Sequence, residues 1–139
     1  MDEKGLEFTP LTSFAPQKDT MVKGITQRII SADERGRCIS RIVEYAPGTD
    51  ASAYGVRDHN FREEIIILRG SLTDLTLGRT FTAGDAASRP PHMKHGPWRS
   101  EDGCVMYEVD LYPDLPPLFF NFSSGSGKDS GTFFPNVVK

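Results

Sequence analysis

The sequence predicts an all-β domain, either a β-sandwich or a jelly roll. Short stretches rich in β-branched and aromatic residues recur along the chain and are separated by turns that contain Gly or Pro. No segment keeps a helical hydrophobic period over ten or more residues. A chain of 139 residues also fits one domain of common size.

Strand patterns begin after residue 24, where the composition changes from polar to alternating. The clearest predicted strands cover residues 25–30, 38–45, 63–68, 71–77 and 103–111, with further signals at Phe81 and at residues 86–89. Residues 51–62 predict a strand with an irregular loop. The dense apolar run at 63–68 indicates a strand covered on both faces, and residues 69–71 indicate a turn after it.

The chain divides into three predicted parts. Residues 1–20 are polar and interrupted by prolines, which predicts an N-terminal arm. Residues 21–112 predict the barrel, and residues 113–139 predict a C-terminal extension that begins with prolines and a Ser/Gly-rich stretch.

Composition argues against several classes of function. The net charge is −3 and no cluster of Lys and Arg stands out, so nucleic-acid binding is not expected. No apolar run is long enough to span a bilayer, and the first residues lack an apolar signal core, so we expect a cytoplasmic protein without membrane contact.

All three histidines lie between Arg57 and Arg99. His59 and Glu63 are four residues apart, a spacing that keeps both on one face of a strand, and His95 would join them from a second strand. Two imidazoles and one carboxylate are the ligand set of many non-haem metal centres. The alternative is that these are ordinary polar residues at loop edges.

Other residues in this region have open roles. His92 is a fourth ligand, a catalytic acid or base, or a surface residue in a turn. Aromatic side chains that could line a substrate pocket, or could simply be core, are Tyr54, Phe61 and Trp98. Side chains that could hold an anionic substrate, or could be surface charges, are Arg57, Arg89 and Arg99.

These residues resemble the two motifs of a cupin, of the small single-domain RmlC-like kind that is similar to the cupin domain of the anti-sigma factor ChrR. The first motif runs Gly-x5-His-x-His-x3,4-Glu-x6-Gly, and the second runs Gly-x5-Pro-x-Gly-x2-His-x3-Asn. The positions that keep this spacing are His59, Glu63, Gly70, Gly84, Pro90 and His95. The resemblance covers about residues 46–110 and implies a double-stranded β-helix with a metal inside the barrel.

Four positions depart from these motifs. Gly48 lies three residues too far upstream for the first Gly, so the loop before the first motif is longer. Arg57 stands where the first His ligand belongs, His92 replaces a Gly and Arg99 replaces the Asn. The resemblance therefore implies a reduced ligand set of His59, Glu63 and His95 for a divalent ion such as iron, zinc, manganese or nickel. Three outcomes stay open: this set keeps the metal, His92 supplies the missing imidazole, or the metal is lost and the Arg57 guanidinium takes its place beside Glu63.

The resemblance implies a metal-dependent enzyme acting on a small molecule, such as a non-haem dioxygenase that cleaves C–C bonds in β-diketones or aryl ketones. Its predicted catalytic residues are His59, Glu63, His95, Arg57 and His92. One alternative is a metal-free isomerase or dehydratase in which a histidine acts as base. Another is a ligand-binding protein without catalysis. Cupins commonly pair, so we also expect a homodimer.

Overall fold

The computed structural model describes residues 5–35 and 38–113, and it confirms the all-β class. Within this part of the chain the regular elements are nine strands and two 3-10 helices. The strands are β1 Gln17–Lys18, β2 Ile25–Ala32, β3 Cys38–Tyr45, β4 Thr49–Asp50, β5 Arg62–Asp74, β6 Arg79–Thr82, β7 Ala86–Arg89, β8 Trp98–Ser100 and β9 Cys104–Leu111. The 3-10 helices are Leu11–Ser13 and Ser52–Tyr54.

All pairings between the named strands are antiparallel. The strands form one curled sheet in the order β1-β2-β3-β9-β5-β8-β4, and β6 and β7 also pair with β5. The 13-residue β5 therefore contacts four other strands and connects the two halves of the barrel. A register shift between Ile67 and Arg69 and a left-handed Gly70 (φ +82°) let β5 bend at this point.

The interior changes from apolar to charged along the barrel. On β9 the alternate buried positions are Cys104, Met106, Glu108 and Asp110. The first two belong to an apolar cluster at one end, which also contains Val22, Ile25, Val43, Tyr45, Ala51, Ile67 and Leu72. The last two face the other end, where the candidate site lies. Period-two alternation thus supplies both the hydrophobic core and the polar interior.

Several local predictions are wrong. Residues 63–68 and 71–77 do not form two strands, because β5 continues through the predicted turn at 69–71 and ends at Asp74. Residues 51–61 form a 3-10 helix and a loop before β5 instead of a strand. The outer face of β5 is not covered either, since Ile66 and Leu68 are 46% and 51% exposed.

The predicted ends of the chain are only partly described. Residues 17–18 of the predicted N-terminal arm pair with β2 as strand β1. Apart from Pro113, the predicted C-terminal extension lies outside the described residues, so the boundaries at 20 and 112 stay predictions. No helix in the described ranges combines the length and apolar character that crossing a bilayer requires.

Candidate metal centre

Two separate parts of the chain bring His59, Glu63 and His95 together. His59 lies in the loop before β5, Glu63 lies in β5, and His95 lies in the loop before β8. A backbone bridge between Arg57 and His95 joins the two loops. One donor atom from each of the three candidate ligands lies within 4.8 Å of the others, and all three side chains are buried.

The Glu63 carboxylate lies between the two imidazoles. Its Oε1 is 3.3 Å from His59 Nε2, and its Oε2 is 3.2 Å from His95 Nε2. The Nδ1–H of His95 donates to the carbonyl of Met93 at 2.8 Å. With its proton on Nδ1, the ring directs Nε2 at a carboxylate oxygen, and two such acceptors call for a proton or a cation between them.

His59 shows the same need more directly. Its Nε2 is buried, and it approaches Glu63 without the alignment of a hydrogen bond. No other group among the described residues bonds this nitrogen. A buried nitrogen without a hydrogen bond is costly, whereas a metal ion would use its lone pair. The donor set of two nitrogens and one oxygen therefore fits a divalent metal.

Charge at Glu63 is strongly favoured. Burial alone would raise the pKa of this carboxyl, but the close rings of His59 and His95 and the neighbouring Glu108 hold its pKa well below the ordinary value. A carboxylate that keeps its charge at neutral pH is the form that binds a metal ion.

A guanidinium also contacts Glu63, but it belongs to Arg89. Arg89 pairs with Glu63 across β7 and β5, and its Nη1 is 3.1 Å from Glu63 Oε2. The guanidinium also lies over the ring of Trp98, 5.1 Å from the centroid. Arg57, which the sequence suggested for a place beside Glu63, lies over the ring of Tyr54 at 4.8 Å and interacts electrostatically with Glu63. Burial lowers the pKa of Arg57.

A second buried charge network, which the sequence reasoning missed, adjoins Glu63. Arg41 Nη2 is 3.0 Å from both Glu108 Oε1 and Asp110 Oδ2, and Arg41 Nη1 donates to Gln27 Oε1 at 3.1 Å. Burial raises the pKa of Glu108 and raises that of Asp110 to about 9. The alternation of β9 could have predicted this network, because it places Glu108 and Asp110 on the same face of the strand as the buried Met106.

A cavity of about 120 Å³ adjoins the site. Its charged wall contains Glu63, His95, Arg89, Arg57 and Glu108. The rest of its wall also contains Asp85 but is mostly apolar, and it includes Val43, Tyr45, Ile65, Ile67, Leu72, Phe81 and Met106. Tyr54 and Trp98 also line the cavity, as the sequence suggested. A ligand with one polar end and an apolar body would match these two walls.

The remaining predicted residues lie elsewhere. Phe61 is fully buried and stacks on the His59 ring at 3.9 Å, so it supports His59 from behind and does not line the cavity. His92 does not join the three candidate ligands, because its exposed side chain contacts Asp58. Arg99 is exposed and lies 3.6 Å from Glu101.

Comparisons with known proteins find similarity in structure only. No protein-family model matches the chain, and no curated protein sequence matches it. An RmlC-like cupin from Shewanella frigidimarina superposes with a TM-score of 0.62 at 15% identity, over 84% of this chain and 96% of that one. An acetylacetone dioxygenase from Acinetobacter johnsonii gives 0.63 at 15% identity, over 80% of this chain and 77% of that one.

A third similar structure is the anti-sigma factor ChrR of Rhodobacter sphaeroides, in complex with SigE. It gives a TM-score of 0.55 at 21% identity, and the match covers 73% of this chain and 50% of the other. Identities this low establish architecture and leave the activity open, because one fold supports many functions. The fold that the motif resemblance implied is thereby confirmed: the described residues form a β-barrel with the cupin fold.

Proposed function

We propose that this protein is a metal-dependent enzyme that acts on a small molecule inside the cupin barrel. His59, Glu63 and His95 would hold one divalent ion. The observation that carries this proposal is the buried His59 Nε2, which faces Glu63 beside His95 and has no hydrogen bond among the described residues. When bound, such an ion supplies Lewis acidity toward substrate oxygens.

The cavity supports a substrate with two neighbouring oxygens on a small apolar skeleton. Its volume of about 120 Å³ is close to the roughly 150 Å³ of an apolar protein cavity that accepts benzene. The apolar wall would bind the carbon skeleton, while the Arg57 guanidinium would bind a negatively charged oxygen. A β-diketone enolate or a hydroxyaryl ketone has this shape and charge.

The more specific proposal is oxygen-dependent C–C bond cleavage in such a ketone. Its support is the fold shared with an acetylacetone dioxygenase, together with the two-walled cavity. In this reaction Arg57 would orient the enolate, and Trp98 with the apolar wall would keep bulk water from the reacting carbons.

The direct experiment is metal analysis of the purified protein, before and after reconstitution with iron, zinc, manganese or nickel. We expect about one ion per chain, and loss of that ion in His59→Ala and His95→Ala. Thr80→Ala is a control, because it removes only an exposed hydrogen bond to Thr73. Oxygen uptake would then be measured with a panel of β-diketones and hydroxyaryl ketones. Absence of any bound metal after reconstitution would refute the proposal.

A metal-free acid–base enzyme is the second candidate, and the Arg89–Glu63 contact favours it. This guanidinium already places a positive charge 3.1 Å from the carboxylate. His95, which lines the cavity, would then act as the base in an isomerisation or dehydration. Turnover that persists with chelators and without oxygen would select this candidate over the first.

A homodimer and a purely ligand-binding role remain further predictions. Sedimentation of the full chain at micromolar concentration tests the first of these. Tight binding of a small molecule without turnover would support the second.

A further inference from the structure

Backbone hydrogen bonds join the two loops that carry His59 and His95. The N–H of Arg57 donates to the His95 carbonyl at 2.8 Å, and the N–H of His95 donates to the Arg57 carbonyl at 3.2 Å. The N–H of His92 donates to the His59 carbonyl at 2.7 Å. The positions of the two imidazoles relative to each other therefore depend on how these loops are held together.

His92 holds an unusual backbone conformation in this connection. Met93 N–H donates to the Pro90 carbonyl at 3.2 Å, which closes a turn with Pro91 second and His92 third. His92 has φ +66° and is the only residue other than Gly with positive φ in the described ranges. The third position of such a turn normally holds Gly or Asn, since a side chain there is strained. The motif that this sequence resembles also has Gly here.

The imidazole makes a specific contact in return. His92 Nδ1–H donates to Asp58 Oδ1 at 2.9 Å, and Asp58 directly precedes His59. The two side chains are 68% and 43% exposed, so their contact adds little to overall stability. A strained residue whose side chain stabilises the fold so weakly is better explained by what it positions.

We propose that Asp58 and His92 form a clamp that positions the loops of His59 and His95 for metal binding. This inference rests on the proposed metal centre. His92 is then a positioning residue and not a ligand, because its side chain points to Asp58 and lies outside the ligand group. At this position Gly would adopt the positive φ without strain, whereas His92 adds a side-chain hydrogen bond between the two loops.

The test compares wild type, His92→Gly, Asp58→Ala and the double variant, with Thr80→Ala as the control for an exposed hydrogen bond. Cobalt(II) affinity and the visible spectrum of the bound cobalt report the ligand geometry. Thermal unfolding of the metal-free proteins reports stability. His92→Gly should unfold at or above the wild-type midpoint, because Gly relieves the positive φ. Its cobalt affinity should fall about tenfold, the scale of lost positioning contacts around metals.

The double variant distinguishes a shared clamp from two separate effects. If the two side chains act together, the affinity loss of the double variant should match either single loss and not their product. Wild-type cobalt affinity and spectrum in His92→Gly would overturn the clamp. Failure of the wild-type protein to bind cobalt, zinc or iron would instead overturn the metal centre itself, so the two failures can be told apart.

Discussion

Arg41 is the side chain whose removal should most damage the barrel. It is fully buried and its Nη2 lies 3.0 Å from a carboxylate oxygen of both Glu108 and Asp110. Replacing it with Met keeps much of the volume but leaves Glu108 without its cation and Asp110 without its hydrogen-bond donor. Breaking a buried ion pair in this way costs about 3–5 kcal/mol, a large part of the roughly 5–15 kcal/mol that stabilises a typical domain.

Urea denaturation of Arg41→Met at pH 7 measures this loss of unfolding free energy directly. In a separate thermal scan, the melting temperature should fall by about 10–20 °C for a domain of this size. The loss should shrink toward pH 5, because the orphaned Glu108 carboxyl can take up a proton and become neutral, whereas Asp110, with a pKa of about 9, is already protonated at pH 7. Arg62→Met is the matched control, since Arg62 makes an exposed hydrogen bond to Ser88 and should cost at most about 1 kcal/mol.

The triple variant Arg41→Met, Glu108→Gln, Asp110→Asn tests the reason for the loss. If unpaired acidity causes it, neutral amides should recover much of the stability. If the unfolding free energy of Arg41→Met stays within about 1 kcal/mol of the wild-type value at pH 7, the short distances around Arg41 do not reflect a stabilising ion pair.

Three further predictions concern pH, packing and metal competition. Burial raises the folded-state pKa of Asp110 from an ordinary 3.8 to about 9. The protonated Asp110 therefore contributes its full stabilisation below pH 3.8, and this stabilisation is lost as the pH rises through about 9. The unfolding free energy should therefore fall between about pH 4 and 9, by up to about 1.4 kcal/mol per pH unit, and a flat profile would contradict this. Gly84→Ala meets open space and should cost about 1–2 kcal/mol for its positive φ. Gly70→Ala overlaps backbone atoms and should cost at least about twice as much in the same urea experiment. Arg89→Gln removes a cation beside Glu63 and should tighten zinc binding about tenfold in a competition titration; weaker binding would show that Arg89 chiefly orients the carboxylate.

Local pattern was sufficient for the fold class and for much of the strand content. Alternation and turn residues predicted β3 with the observed ends, Cys38–Tyr45, and nearly all of β9. The long β5 was harder, because Gly70 signals a turn in sequence whereas the structure uses it to bend a continuous strand. Whether a glycine ends a strand or bends it depends on what packs beside it.

The sequence by itself determined that His59, Glu63 and His95 are the candidate ligands, because His59 and Glu63 keep the spacing of one motif and His95 keeps its place in the second. Only the tertiary structure decided that Arg89 contacts Glu63. Arg89 reaches it because β7 pairs with β5 in one particular register, and that register places Glu63 opposite Arg89. Strand register reflects packing across the whole barrel, and no short stretch of sequence contains that information.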